Sequence, residues 1–323
     1  MGETRRHHYV PQSYLALFTP SGRKDDRLHV LDLREGRQWK ALPDKVAHEH
    51  DFYRVNVSGM EPNMVEDWFS EFEAEAAPVL RYVDERKELP KGKAYETLMA
   101  FVALQASRTR RIRDTMASGM EQVSKMSLRL IFQSEDRWNM YKERMKREGF
   151  GGEDLDEVTY EQMIDFLRRD NFTISPGDTF LTRTNVESWQ TLIPMVQARE
   201  WSVVVAPEGE SFICSEEPVS LVSTVELPDF WSSPGFGMRN TELTMPVSKS
   251  VMLVGRFQQM EPVVTTDRHG MAALNSRTGM YAERWIFSPY ADFSWLRKDG
   301  KVGNVNDLLQ LVRGERQKRP PER

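Results

Sequence analysis

The sequence has very little cysteine and no long apolar segment. Among its 323 residues there is one cysteine, Cys214, so intrachain disulfides and metal motifs built from several cysteines are excluded. The longest apolar run extends from Leu98 to Leu104, which is far too short to span a bilayer. The basic start of the chain is not followed by the apolar stretch that a secretory signal requires. We therefore expect a cytoplasmic protein without membrane contact.

The chain also lacks an excess of positive charge. Its 44 Lys and Arg residues are outnumbered by 49 Asp and Glu residues, which gives a formal net charge of −5. No overall basic field attracts nucleic acid, so any such contact would need a local patch. Hydrophobic residues make up 39% of the chain, and eight Trp and sixteen Phe can build a core. The length suits one large domain or two modest ones.

Hydrophobic periodicity predicts helices in the first half and middle of the chain and strands afterwards. Alternating residues at 28–33 and 38–42, on either side of a turn, predict a β-hairpin. The predicted helices cover 61–86, 94–117, about 120–146, the segment from a Thr159–Gln162 capping box to Arg169, 186–197 and 270–284. The predicted strands cover 201–206, 211–215, 241–246 and 250–257, and 285–289 are predicted as a short strand or a turn.

This order of elements indicates an α+β fold. An isolated hairpin is marginally stable in water, so the N-terminal hairpin needs a partner sheet. We predict a single domain over 1–313, with a possible sub-boundary near 175, in which the helical N-terminal and middle region packs on a mostly antiparallel sheet. The hairpin and the C-terminal half contribute that sheet. The segment 228–240 is a predicted long loop, and 314–323 a predicted disordered charged tail.

Polar residues occur near the N-terminus where they could form a site. His7 and His8 are adjacent, so in an extended segment their side chains point to opposite faces, and one could face a site. The alternative is a frayed basic terminus. Glu66 and Glu73 are seven residues apart and lie above one another at the margin of a helix face. They could bind a divalent metal or act as acid and base, although a helix margin is normally charged.

A second polar group follows the most apolar helix. Gln105 and Arg108 lie one turn apart, directly after the apolar run, with Arg111 a further turn along. If they are buried they must find partners, and Arg108 could hold a phosphate or pair with a carboxylate of the site. The alternative is that the helix emerges into solvent at Gln105.

A third polar group ends a predicted strand. Ser215 and Glu216 precede the turn at Pro218, where Glu216 could serve as a base or ligand and Ser215 as a nucleophile. An ordinary turn is the alternative. Cys214 could be a thiol nucleophile or a small buried apolar residue. Three further histidines, His48, His50 and His269, could be metal ligands, but they match no fixed metal-binding spacing.

The N-terminal segment HHYVPQ resembles the opening of a widespread, functionally uncharacterised bacterial family. Other segments typical of that family are matched here by Phe52-Tyr53, by Glu66 and Glu73, by Gln105, Arg108 and Thr109, and by Ser215, Glu216, Pro218 and Val219. The family usually has Asp where this chain has Glu216, which preserves the charge but lengthens the side chain. The resemblance implies that the separate polar groups form one constellation, but it implies no reaction.

We consider three functions for such a constellation. The first is a metal-dependent nuclease or phosphoesterase, with bacterial defence or a toxin system as its setting. In it His8, Glu66, Glu73 and Glu216 would hold Mg²⁺ or Mn²⁺, Arg108 would balance phosphate charge, and the second histidine would be acid or base. The second is a non-catalytic protein that binds a ligand or a partner and whose polar set is a structural network. Met126, Met140 and Met145 could form its binding face or could be core. The third is nucleotide binding by Arg108 and Arg111.

Overall fold

The computed structural model describes residues 6–55, 59, 61–150, 157–227 and 234–318. The helices in these ranges are α1 (Gln12–Leu15), α2 (Met64–Arg86), α3 (Lys93–Ser107), α4 (Arg110–Ile131), α5 (Glu135–Arg147), α6 (Tyr160–Arg169), α7 (Asp178–Gln197), α8 (Arg268–Tyr281) and α9 (Val305–Lys318). The strands are β1 (Arg6–His8), β2 (Leu28–Asp32), β3 (Arg37–Ala41), β4 (His48–His50), β5 (Glu200–Val205), β6 (Cys214–Ser215), β7 (Ser220–Ser223), β8 (Thr241–Pro246), β9 (Val251–Arg256), β10 (Val263–Thr265), β11 (Trp285–Ser288), β12 (Trp295–Leu296) and β13 (Val302–Gly303).

The α+β prediction is confirmed, and the strands form two larger sheets. One has the order β10-β5-β9-β8-β7 and is antiparallel except for the parallel β10–β5 pair. The other has the order β3-β2-β11-β6 and is antiparallel throughout. The N-terminal hairpin β2–β3 therefore does gain a partner from the C-terminal half, namely β11, but the predicted single sheet is divided into two.

Helix α3 lies at the centre of the helical layer because its middle is apolar all round. The side chains from Phe101 to Leu104 are buried, and α3 packs against both α2 and α7. Trp189 of α7 donates from Nε1 to the carbonyl oxygen of Ala100 at 2.8 Å, and its ring packs among aromatic side chains of α2. Pro78 lies inside α2 without ending it.

The predicted helix over 94–117 and its break before 120 are wrong. Helix α3 ends at Ser107, Thr109 is extended with φ −75° and ψ 159°, and α4 then continues without interruption to Ile131. The cause is tertiary, because Arg108 turns into the core to bind the N-terminal segment. Gly119, by contrast, is accommodated inside α4. Helical periodicity continues through both positions, so it contained no signal for the real break.

The remaining predictions concern chain ends and loops. The Thr159–Gln162 capping box is confirmed at the start of α6. Helix α9 includes 314–318, which the sequence assigned to a disordered tail, while 319–323 lie outside the described residues. Of the predicted loop 228–240, residues 228–233 also lie outside the described part. No described helix has the length and apolar character needed to cross a bilayer.

Candidate functional site

The N-terminal segment is held in an extended conformation by pairing with β4. His7 aligns with Glu49 and His8 with His48, so the two adjacent histidine side chains face opposite sides. His7 is fully buried, and its Nδ1 accepts a hydrogen bond from the main-chain N–H of Tyr53 at 2.9 Å. His8 is half-buried, with its ring 5.3 Å from that of His48. The segment is thus ordered against the core, and His8 is the histidine that solvent can reach.

Arg108 is the residue that fastens this segment to the helices. Its side chain is fully buried, donating from Nη2 to the carbonyl oxygen of His8 at 2.7 Å and from Nε to that of Tyr9 at 2.9 Å. Its Nη1 donates to Glu73 at 2.6 Å, and the guanidinium lies 5.3 Å from the centre of the Phe69 ring. The planar fork of an arginine suits three such acceptors. Arg108 therefore links the N-terminal segment, α2 and α3 in one network.

Glu66 and Glu73 lie on the same side of α2, and both are half-buried. Glu73 is ion-paired with Arg108, whereas Glu66 accepts a hydrogen bond from the main-chain N–H of His8. Burial raises the pKa of Glu66 to about 7, with the nearby Arg108 opposing and Glu73 adding to the rise. Burial, together with His48 and Arg108, lowers the pKa of His8 to about 4. At neutral pH the imidazole of His8 is therefore uncharged, and the carboxyl of Glu66 can give or take a proton.

Gln105 lies on α3, about one turn before Arg108. It is fully buried, and neither atom of its amide has a hydrogen-bond partner among the described residues. Asn185 of α7 is buried and unpartnered in the same way, and the sequence analysis did not identify it. Helices α3 and α7 are antiparallel, since Trp189 pairs with Ala100 and the start of α7 reaches past the end of α3. Gln105 and Asn185 then lie at one level, about 7 Å and about 6 Å beyond that contact.

Ser215 and Glu216 lie at the edge of the four-stranded sheet, and the charge of Glu216 helps to raise the pKa of Tyr9, the residue after His8. The hydroxyl of Ser215 donates to the carbonyl oxygen of Glu217 at 2.9 Å and accepts from its N–H at 3.1 Å. The carboxylate of Glu216 accepts from the main-chain N–H of Trp285 at 2.8 Å and from that of Arg284. Burial raises the pKa of Glu216 to about 7. Both side chains are thus engaged in closing the turn onto β11.

Glu217 connects this turn to the helices, and the sequence analysis did not identify it. It is 5% exposed, and its carboxylate accepts from the main-chain N–H of Arg111 at 3.2 Å, at the start of α4. The side chain of Thr109 also contacts it. Burial, with the charge of Glu216 adding, raises the pKa of Glu217 to about 8. The only hint in the sequence was the pair of glutamates directly before Pro218.

The predicted metal ligands are only partly brought together. Within the ranges that the structure describes, no three His, Cys, Asp or Glu side chains are placed to hold a metal ion. Glu66 and Glu73 are neighbours beside His8, whereas Glu216 is bound to β11. His269 lies on α8, and its Nε2 is 3.2 Å from the carbonyl oxygen of Gly300.

Cys214 is fully buried next to Tyr14. Burial raises the pKa of its thiol to about 12, which disfavours the thiolate that a nucleophile needs. The side chain therefore packs as a small core residue, the second of the two alternatives that its position in the strand allowed.

These features define an α+β protein whose N-terminal segment is fastened by a buried arginine beside two half-buried carboxyls. The chain belongs to the family described as "Protein of unknown function (DUF4238)", whose model matches residues 6–292. The resemblance inferred from the opening HHYVPQ motif is consistent with this match, because the match begins one residue before His7-His8. No curated protein and no solved structure matches the chain.

Proposed function

We propose that the protein is a hydrolase of phosphate esters, a nuclease or phosphoesterase, that works with Mg²⁺ or Mn²⁺. The observation that carries this proposal is the pair Glu66 and Glu73, two half-buried carboxyls on one helix in different electrostatic surroundings. Two carboxyls in different electrostatic surroundings typically divide the acid–base role and the charge-stabilising role between them. The ring of His8 is uncharged at neutral pH, and the main-chain N–H of His8 donates to Glu66.

Each of these residues has a distinct role in the proposal. Glu66 exchanges the proton, because its pKa of about 7 is suited to both directions of transfer at neutral pH. Mg²⁺ commonly uses one or two carboxylates and completes its shell with water and substrate oxygens, so Glu73 would hold the metal while Glu66 exchanges the proton. Arg108 is a positioning residue, since its guanidinium binds Glu73 and the main chain of the N-terminal segment.

The test is cleavage of single- and double-stranded DNA, RNA and a simple aryl phosphodiester by the full chain, with Mg²⁺ or Mn²⁺. Glu66→Gln keeps the size of the side chain and should lower the rate by about 10²-fold or more, because general acid–base catalysis contributes that much. Glu71→Gln, on the exposed side of the same helix, is the matched control and should cleave like the wild type. Equal cleavage by the two variants, or no cleavage of any substrate with either metal, would refute the proposal.

A second candidate is a non-catalytic protein in which the same residues form a structural network. It is supported by Arg108, which is fully buried and donates to two carbonyl oxygens and to Glu73. In this case Glu66→Gln should change the midpoint of urea unfolding relative to Glu71→Gln, and no phosphate ester should be cleaved. The unpartnered amides of Gln105 and Asn185 would then point to a small polar ligand or to water.

A further inference from the structure

Strands β1 and β4 place two histidine side chains next to each other. His8 aligns with His48 across this antiparallel pair, so both side chains leave the two strands on the same face. Their ring centres are 5.3 Å apart, and the ring planes are inclined by 66°. Both residues are half-buried, so the pair is accessible to small solutes from the solvent.

The separation of the two rings is the one that a shared metal ion requires. Zn²⁺ binds an imidazole nitrogen at roughly 2.1 Å, which places the ring centre roughly 3.2 Å from the ion. Two rings on one tetrahedral ion then have their centres roughly 5.2 Å apart. Rotation of an imidazole about its Cβ–Cγ bond redirects the nitrogens but leaves the ring centre almost in place, and this torsion is broad in histidine. The 5.3 Å between His8 and His48 therefore suits one tetrahedral ion held by both rings.

The hydrogen bonds of the two rings leave nitrogen lone pairs for such an ion. The ring of His8 donates to the main chain of Asp44, so its other nitrogen is an acceptor. A metal-binding histidine commonly donates its second nitrogen to a carbonyl oxygen in this way. The amide nitrogen of Gln12 lies 3.4 Å from both nitrogens of the His8 ring, so it is directed at neither lone pair. Nδ1 of His48 is buried and has no hydrogen-bond partner among the residues that the structure describes.

The electrostatics of the pair also favour the protonation state that binds metal. Burial, with the charge of His48 adding, lowers the pKa of His8 to about 4, and burial lowers the pKa of His48 as well. Both imidazoles are uncharged at neutral pH, as a metal ligand must be. The charge of Asp44 acts on both rings and attracts a cation, whereas Arg6 and Lys45 near His48 repel one. We therefore expect a metal ion to bind with moderate affinity.

We propose that His8 and His48 form a binding site for one Zn²⁺ or a similar transition-metal ion. Imidazole nitrogens suit such ions, whereas Mg²⁺ prefers oxygen ligands, so this site is distinct from the one proposed at Glu73 and does not depend on it. No third His, Cys, Asp or Glu side chain completes a ligand set within the described ranges, so water or a solute fills the remaining positions. Because the two ligands lie on different strands, a bound ion fastens the N-terminal segment to β4.

The first test is calorimetric titration of the untagged full chain with Zn²⁺. The wild type should bind one ion, and His8→Ala and His48→Ala should each weaken binding by more than about tenfold, since loss of a residue that only supports a metal ligand already costs that much. His269→Ala removes an exposed histidine on α8 and should bind like the wild type. Glu66→Gln should also bind like the wild type. Weaker binding by Glu66→Gln with unchanged binding by His48→Ala would place the ion at the carboxyls of α2 and overturn the proposal, as would a wild type that binds no Zn²⁺.

Thermal unfolding separates loss of the site from loss of the fold, because each variant is compared with itself in EDTA. Zn²⁺ should raise the Tm of the wild type and of His269→Ala, since the ion binds the paired strands of the folded state. The Tm of His48→Ala should be the same with and without Zn²⁺, and a rise equal to that of the wild type would contradict the proposal. X-ray absorption at the zinc edge should show scattering from two imidazole rings in the wild-type complex, and fewer than two would overturn the pairing of His8 with His48.

Discussion

The buried carboxyl of Glu217 should make the protein less stable as the pH rises through neutrality. Its pKa is raised from the usual 4.5 to about 8 in the folded chain, chiefly by burial. The folded state therefore binds this proton more tightly than the unfolded state does. The resulting stabilisation is complete below the unfolded pKa and is lost as the pH rises through about 8.

The size of the effect follows from that pKa. At about pH 6 the carboxyl is protonated in the fold and ionised in the unfolded chain, whereas at about pH 8 it is half-ionised in the fold. The difference in stabilisation between these two conditions is about 2 kcal/mol. Glu217→Gln keeps the side chain neutral at both pH values and can still accept from the N–H of Arg111. The variant should therefore lose about 2 kcal/mol less than the wild type over this interval.

The assay is urea unfolding of wild type and variant at the two pH values. Glu66 and Glu216 also have raised pKa values and contribute to the wild-type slope, so the informative quantity is the difference between wild type and Glu217→Gln. Glu208→Gln, at an exposed turn, is the control and should follow the wild type. Equal pH slopes for wild type and Glu217→Gln would refute the reasoning.

Three further predictions test the contacts of Arg108, the reactivity of the Cys214 thiol and the capping box of α6. Arg108→Lys should lower the free energy of unfolding in urea by about 3 kcal/mol, because an ammonium cannot replace the three directed contacts of the guanidinium. Arg81→Lys, at an exposed position, should change this free energy little, and equal stability of the two variants would contradict the role of Arg108. Cys214 should react with a thiol reagent only at the rate of unfolding, because burial raises its pKa to about 12; rapid labelling of the native protein would be inconsistent with this. Thr159→Ala should lower the stability of α6 by about 1 kcal/mol and speed hydrogen exchange in its first turn about fivefold. Thr191→Ala, at an exposed position within α7, is the control and should leave exchange in α6 unchanged.

Much of the local structure could be predicted from the sequence because it depends on neighbouring residues. The hairpin β2–β3 follows from alternation around a turn, and α6 follows from its capping box. The strands β8 and β9 lie where the sequence predicts strands, and they pair with each other. The α+β class follows in turn, because a hairpin and later strands flank a long helical region.

Tertiary contacts decided the rest. The break between α3 and α4 exists because Arg108 binds two carbonyl oxygens a hundred residues earlier in the chain, a contact that helical periodicity cannot contain. The same holds for the placement of the candidate residues. Glu66, Glu73 and Arg108 meet around the main chain of the N-terminal segment. Glu216 is held by the main-chain N–H groups of Arg284 and Trp285, and its charge helps to raise the pKa of Tyr9 in that segment.

The sequence by itself indicated Gln105 and Arg108 as polar side chains that need partners if buried, because they directly follow an apolar run. It could not determine how those side chains combine. Whether Arg108 binds a phosphate or the main chain depends on which groups lie within about 3 Å of it, and only the packed structure sets that distance. The raised pKa of Glu66, Glu216 and Glu217 arises likewise from desolvation by segments remote in the chain.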